Sequence, residues 1–191
     1  MKRVGLQFKR LNLGVTLTAL CLGLSCFGVL DAQTRITNST TMKVNPGTVI
    51  TNQQDMLLSN GGVLNNQGTM VINGNLQNNS GSANLGTGTF VFSGSAAQTI
   101  SGQNTFRHLK INNAAGVGIV NDIEVIDTLE LTAGLLKLRN ANLKMDSTCK
   151  AVGTFSGTAM VAADTSGQLR KIIQNTGVGS FLFPVGDTVG N

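Results

Sequence analysis

Residues 62–78 read Gly62-Val63-Leu64-Asn65-Asn66-Gln67-Gly68-Thr69-Met70-Val71-Ile72-Asn73-Gly74-Asn75-Leu76-Gln77-Asn78. The stretch says nearly the same thing twice: Gly62-Val63-Leu64-Asn65-Asn66, then Gly74-Asn75-Leu76-Gln77-Asn78. Glycine supplies the positive φ of a tight turn, and asparagine bonds its own backbone two residues on. An apolar group bounded on both sides by such residues is a short strand.

The message repeats outward in both directions. Short apolar groups recur at Met42–Val44, Met56–Leu58, Phe90–Phe92, Leu109–Ile111, Ile123–Ile126, Leu129–Leu131, Leu135–Leu138 and Leu143–Met145. Turn residues such as Asn45-Pro46-Gly47, Ser93-Gly94-Ser95 and Asn112–Gly116 separate them. Four groups alternate: Leu109-Lys110-Ile111, Leu129-Glu130-Leu131, Leu136-Lys137-Leu138 and Leu143-Lys144-Met145. Successive strand residues face opposite ways, so each triplet places two apolar side chains inward and one charge outward.

Long stripes with the 3.6-residue helical period are missing, and β-branched residues and glycine disfavour helix. The fold class read from this is all-β, with strands of roughly three to five residues. An irregular right-handed parallel β-helix, or solenoid, after an N-terminal signal helix fits best. A β-sandwich is the alternative. The repeat is roughly 17 to 24 residues, within the range of solenoid coils. One coil cannot bury its own apolar side, so it stacks on the next at about 4.8 Å. Asparagines at successive turns are then placed to bond one another in ladders.

Charge and composition narrow the function. The chain has 191 residues, a net charge of +5, one histidine, three cysteines, and neither Trp nor Tyr. Lys2, Arg3, Lys9 and Arg10 precede an uncharged apolar run, Leu11–Leu30, with Ala32 just beyond. That is the pattern of a secretory signal peptide over 1–32, with cleavage between Ala32 and Gln33. A run of about 20 apolar residues also suits an uncleaved anchor, and Leu22-Gly23-Leu24-Ser25-Cys26 loosely follows a lipoprotein signal. Removing 1–32 takes four basic residues and Asp31 away and lowers the charge from +5 to +2. So small a charge offers no footprint for nucleic acid. Only Cys149 remains, so no disulfide framework is expected. With no histidine beside it in sequence, Cys149 reads as an inert small residue.

Residues 33–150 read as solenoid repeats and 151–191 as a further β segment. In the latter, Ile172–Ile173 and Phe181–Phe183 flank a Gly-rich turn at 175–179 as a hairpin would. Pro184 then ends pairing or lies at an edge. No capping element follows, so the expectation is a truncated, N-terminal part of something longer.

Several segments together carry a family resemblance. They are Thr89-Phe90-Val91-Phe92-Ser93-Gly94-Ser95-Ala96-Ala97-Gln98-Thr99-Ile100-Ser101-Gly102, Phe106–Asn113, Leu129–Leu136 and Phe181-Leu182-Phe183-Pro184-Val185-Gly186-Asp187. Across residues 60–191 the chain resembles the repetitive adhesin-like surface proteins of Gram-negative bacteria that use type IX secretion. The resemblance implies a secreted or outer-surface β-helical stalk in a large modular protein. The C-terminal sorting domain common in that group is not in this sequence. The family brings no catalytic residue and no cofactor.

Chemistry-bearing residues are few. His108 beside Arg107 reads as an outward strand residue. Asp122, Glu124, Asp127 and Glu130 form an acidic patch, and Asp122 and Glu124, two apart, share a strand face. Such carboxylates bind Ca²⁺ or flank a glycosidic bond, so Asp122, Glu124 and Asp127 are the weak calcium candidates. The competing reading is a solvated face balanced by Lys137, Arg139 and Lys144. Gly86-Thr87-Gly88 and Gly177-Val178-Gly179 lack the third glycine and the helix of a dinucleotide site. The function read from the sequence is therefore a passive exported scaffold, not an enzyme. Its expected partners are surface glycans or other cell-surface proteins, with no nucleic acid and with the membrane engaged only during export. The alternative is the N-terminal part of a β-helical polysaccharide-active enzyme.

Overall fold

The alternating triplets form strands that all run the same way, and each lies directly over a strand about 20 residues earlier. A computed structural model describes residues 33–163, 165–174 and 180–187. The leader and the 175–179 turn lie outside the described residues. The first turn comprises β1 (Thr34–Ile36), β2 (Thr41–Val44) and β3 (Val49–Asn52). The second comprises β4 (Met56–Ser59), β5 (Val63–Asn66) and β6 (Thr69–Ile72). Then come β7 (Leu76–Asn79) with β8 (Thr89–Phe92), β9 (Gln98–Gly102) with β10 (Asn104–Asn112), and β11 (Val117–Ile119) with β12 (Ile123–Ala133). The sixth turn holds β13 (Leu136–Lys137), β14 (Leu143–Met145) and β15 (Lys150–Gly153). The seventh holds β16 (Val161–Ala162) and β17 (Leu169–Lys171), and β18 (Val185–Gly186) opens the next pass.

The result is an all-β parallel solenoid of about seven turns. One face is an eight-stranded sheet in the order β1-β4-β7-β9-β11-β13-β16-β18. A two-stranded face pairs β2 with β5, and a second eight-stranded sheet runs from β3 to β17 with β15 on β12. Among the described residues every strand pair is parallel, which excludes the sandwich. Register partners are 19 residues apart between Gln98 and Val117 and 26 apart between Leu143 and Leu169.

Two strands are longer than the sequence pattern indicates. β10 has nine residues and β12 eleven. Their shared register shift between Phe106 and His108 bends both round a corner of the coil. The first half of β12 then carries β14, and its second half carries β15. Stacking continues through 151–187: Leu169–Lys171 joins β14 and Val185–Gly186 joins β16, both in parallel. Ile172–Ile173 and Phe181–Phe183, the flanks of the expected hairpin, lie outside the strands, just after β17 and just before β18.

The interior follows the alternation. Leu109, Ile111, Leu129, Leu131, Leu136, Leu138, Leu143 and Met145 are all buried. Phe106 packs edge-on against Phe90 at 5.2 Å and Phe92 at 6.4 Å between ring centres. Each such side chain contributes about 1.5–3 kcal/mol by leaving water. Polar side chains are buried at the corners: Asn52, Asn66, Asn78, Gln98, Asn104 and Asn113. Asn66 accepts from Gly68 N–H at 3.1 Å and donates to Thr89 O at 2.9 Å, one turn on. Asn113 likewise accepts from Ala115 N–H at 2.9 Å and donates to Ala96 O at 2.7 Å. Among the described residues no buried side-chain polar atom lacks a partner, as burial of such groups requires.

Candidate functional site

The polar residue just before a strand has a fixed task. Asp55 precedes β4, and its carboxylate accepts the backbone N–H of Asn75 at 2.7 Å. Asn75 precedes β7, and its side-chain oxygen accepts the N–H of Thr99 at 2.8 Å. On the far part of the molecule Asp122 accepts Asn142 N–H at 2.7 Å, and Asn142 accepts Gln168 N–H at 3.2 Å. These are the expected amide ladders, with aspartate as the starting rung. Their sequence signal is Asp, Asn or Gln directly before an aliphatic residue, recurring once per turn.

Asp122 and Asn142 of the second ladder line an open groove of about 590 Å³. The groove crosses turns four to seven and is lined by Thr105, Val120, Asp122, Glu124, Asn142 and Arg170, among others. Its floor is a column of register partners, Thr105, Glu124, Lys144 and Arg170, one from each turn. Stacking therefore brings together residues spread over 66 positions of sequence. Sequence reading picked out Asp122, Glu124 and Lys144, but it missed Asn121, Asn140 and Arg170, whose adjacency exists only once the turns are stacked.

The charges in and beside the groove are matched across turns. Lys144 meets Glu124 at 2.6 Å, Arg107 meets Asp127 at 2.5 Å, and Lys110 meets Glu130 at 2.7 Å. Of the three cations expected to balance the acidic patch, Lys144 does so. Lys137 sits in β13 on another face. The Arg139 guanidinium lies on Gly118, where an added Cβ would come within 2.8 Å of it. The three calcium candidates thus have separate partners: Asn142 for Asp122, Lys144 for Glu124, Arg107 for Asp127. Among the described residues no three His, Cys, Asp or Glu side chains gather closely enough to hold a metal ion.

Hydrogen bonds from the Asn142 backbone and side chain hold the Asp122 carboxyl below its ordinary value. The Lys144 ammonium is held above its ordinary value by its bond to Glu124. Asp122 therefore keeps a charge, not a transferable proton, and Lys144 keeps its proton, not a lone pair. His108 stands outward in β10 between Thr89 and Thr128. Cys149 is buried, and loss of hydration pushes its thiol up to about 11. That is far from the activated range of a nucleophile.

The geometry defines a parallel β-solenoid with a polar, charge-balanced groove on its flank. No protein-family model, curated protein or solved structure matches the chain. Among the described residues no helix is long and apolar enough to cross a membrane.

Proposed function

We propose that this chain is an exported cell-surface module, an adhesin-like β-solenoid that works as a passive scaffold and presents its outer faces to glycans or neighbouring surface proteins. One observation carries the reading. Three outward cations of turns four to six pair with carboxylates one turn away, Arg107 with Asp127, Lys110 with Glu130 and Lys144 with Glu124. Side chains paired in this way brace a stack. The basic start and apolar run before Ala32 support export, and the resemblance to type IX-secreted surface proteins supports the outer surface as destination.

The test is to express the full chain with a C-terminal tag in a Gram-negative host and fractionate the cells. Expected is a product that begins at Gln33 and is cut by protease added to intact cells. Retention in the cytoplasm with the leader intact overturns the proposal.

A second reading, part of a polysaccharide-active enzyme, has the groove in its favour. Release of reducing ends or unsaturated sugars from a polysaccharide by the purified chain, abolished by Glu124→Gln, would establish it.

A further inference from the structure

The groove has properties that the scaffold role does not use. Asn121 accepts Gly102 N–H on its side-chain oxygen at 2.7 Å, which turns its NH₂ outward. Asn140 accepts the Ser166 hydroxyl at 3.2 Å and is oriented in the same way. Arg170 gives only its Nε, to Gln168 at 3.1 Å. Its terminal nitrogens have no partner among the described residues. Asn121, Asn140 and Arg170 line the groove, and each is held by one hydrogen bond with donors left over among the described residues, so part of the ordering cost of binding is already met. Glu124 and Asp122 supply acceptors beside them. Val120, 52% exposed, adds an apolar spot on the same wall.

We propose that this groove binds a segment of an uncharged linear polysaccharide through its hydroxyl groups. Three features select that class. Asp122 and Glu124 offset Lys144 and Arg170, so the groove does not favour an ion of either sign, nucleic acid included. The column Thr105–Glu124–Lys144–Arg170 sets four polar side chains in a row at about 4.8 Å per turn, so successive units of a linear polymer each meet a hydrogen-bonding group. The groove is shallow, without the buried apolar pocket in which a protein partner anchors an aromatic side chain. With no Trp or Tyr in the chain to stack on a sugar ring, binding is weak and depends on several units at once. The proposal relies on the surface-module reading for where such a polymer is met, but not for whether it binds.

The test is titration of the full chain with cellohexaose, xylohexaose and mannohexaose, and with hexagalacturonate as the acidic probe, followed by amide NMR shifts. Expected is saturable movement of the Thr105, Glu124 and Lys144 amides with at least one neutral hexasaccharide and none with hexagalacturonate at equal concentration. Asn140→Ala combined with Arg170→Ala should weaken that binding about tenfold without moving the melting temperature. The proposal falls if no neutral probe shifts the groove, if hexagalacturonate binds more tightly, or if the double variant binds unchanged. A chain that binds the neutral probe yet stays in the cytoplasm upholds the groove and refutes the surface role.

Discussion

The main-chain oxygen of Asn113 occupies the place that a side chain on Gly134, one turn later, would need. A Cβ built on Gly134 would lie 1.7 Å from it, and the glycine has φ +84°. Asn78 and Gly102 repeat the relationship at 1.8 Å and φ +80°. Corner asparagines and the glycines of the following turn are thus matched parts of one packing rule.

Gly134→Ala should therefore combine backbone strain with overpacking, and cost about 3 kcal/mol or more. Gly47 also has positive φ, +77°, but open space around it. Gly47→Ala should cost only the strain, about 1–2 kcal/mol. Urea midpoints of the two variants check this, and equal losses would contradict the close approach.

Asn113→Ala should destabilise by about 2–3 kcal/mol, because it removes the bonds of a buried amide to the buried Gln98 side chain, the Ala115 N–H and the Ala96 carbonyl. Asn140→Ala, at an exposed position, should stay within about 0.5 kcal/mol. Thermal melts of both proteins decide the point.

Asp122 links stability to acid. Its carboxyl is held below the ordinary 3.8 by Asn142, so the folded chain binds that proton less readily than the unfolded chain does. The stability it contributes is complete above the ordinary value and is lost as pH falls through the lower, folded one. Asp122→Asn mimics the neutral group. The melting-temperature gap between wild type and variant should stay constant from about pH 7 to pH 5 and close below about pH 4. A gap that widens in acid would show the sign to be wrong.

Cys149 should resist iodoacetamide in the native chain at pH 8, since its thiol is buried and raised to about 11. It should react fully in urea. Mass spectrometry of the peptide that contains Cys149 separates it from Cys21 and Cys26. Rapid native labelling would mean the thiol is reachable.

Ile111 and Leu131 are register partners buried in the interior. Ile111→Asp or Leu131→Asp should prevent folding, because an unpaired carboxylate there costs more than the few kcal/mol that such a chain has to spare. Loss of the strand signal in circular dichroism is expected, and an unchanged melt would refute the inward assignment.

Much of this architecture was legible in local pattern. Leu109-Lys110-Ile111 and its three counterparts alternate as only a half-buried strand does, and all four came out buried, outward, buried. The Asn-Gly turns between them marked strand ends to within a residue or two. The long β10 and β12 were not legible. Each runs on through a charged residue, Arg107 or Asp127, where their mutual pairing shifts register. Nor was the role of Asp122, whose spacing to Glu124 drew attention to metals when its working partner is Asn142, a full turn away.

Alternation and turn chemistry act over two to five residues, so the linear chain carries the strand class, the inward set and the outward charges. Which strand lies on which is settled by burial of whole coils against each other. Partners there stand 19 to 26 residues apart, and turn lengths vary from coil to coil. Only that stacking sets Asn113 against Gly134, Arg107 against Asp127, and Thr105, Glu124, Lys144 and Arg170 in one line along a groove.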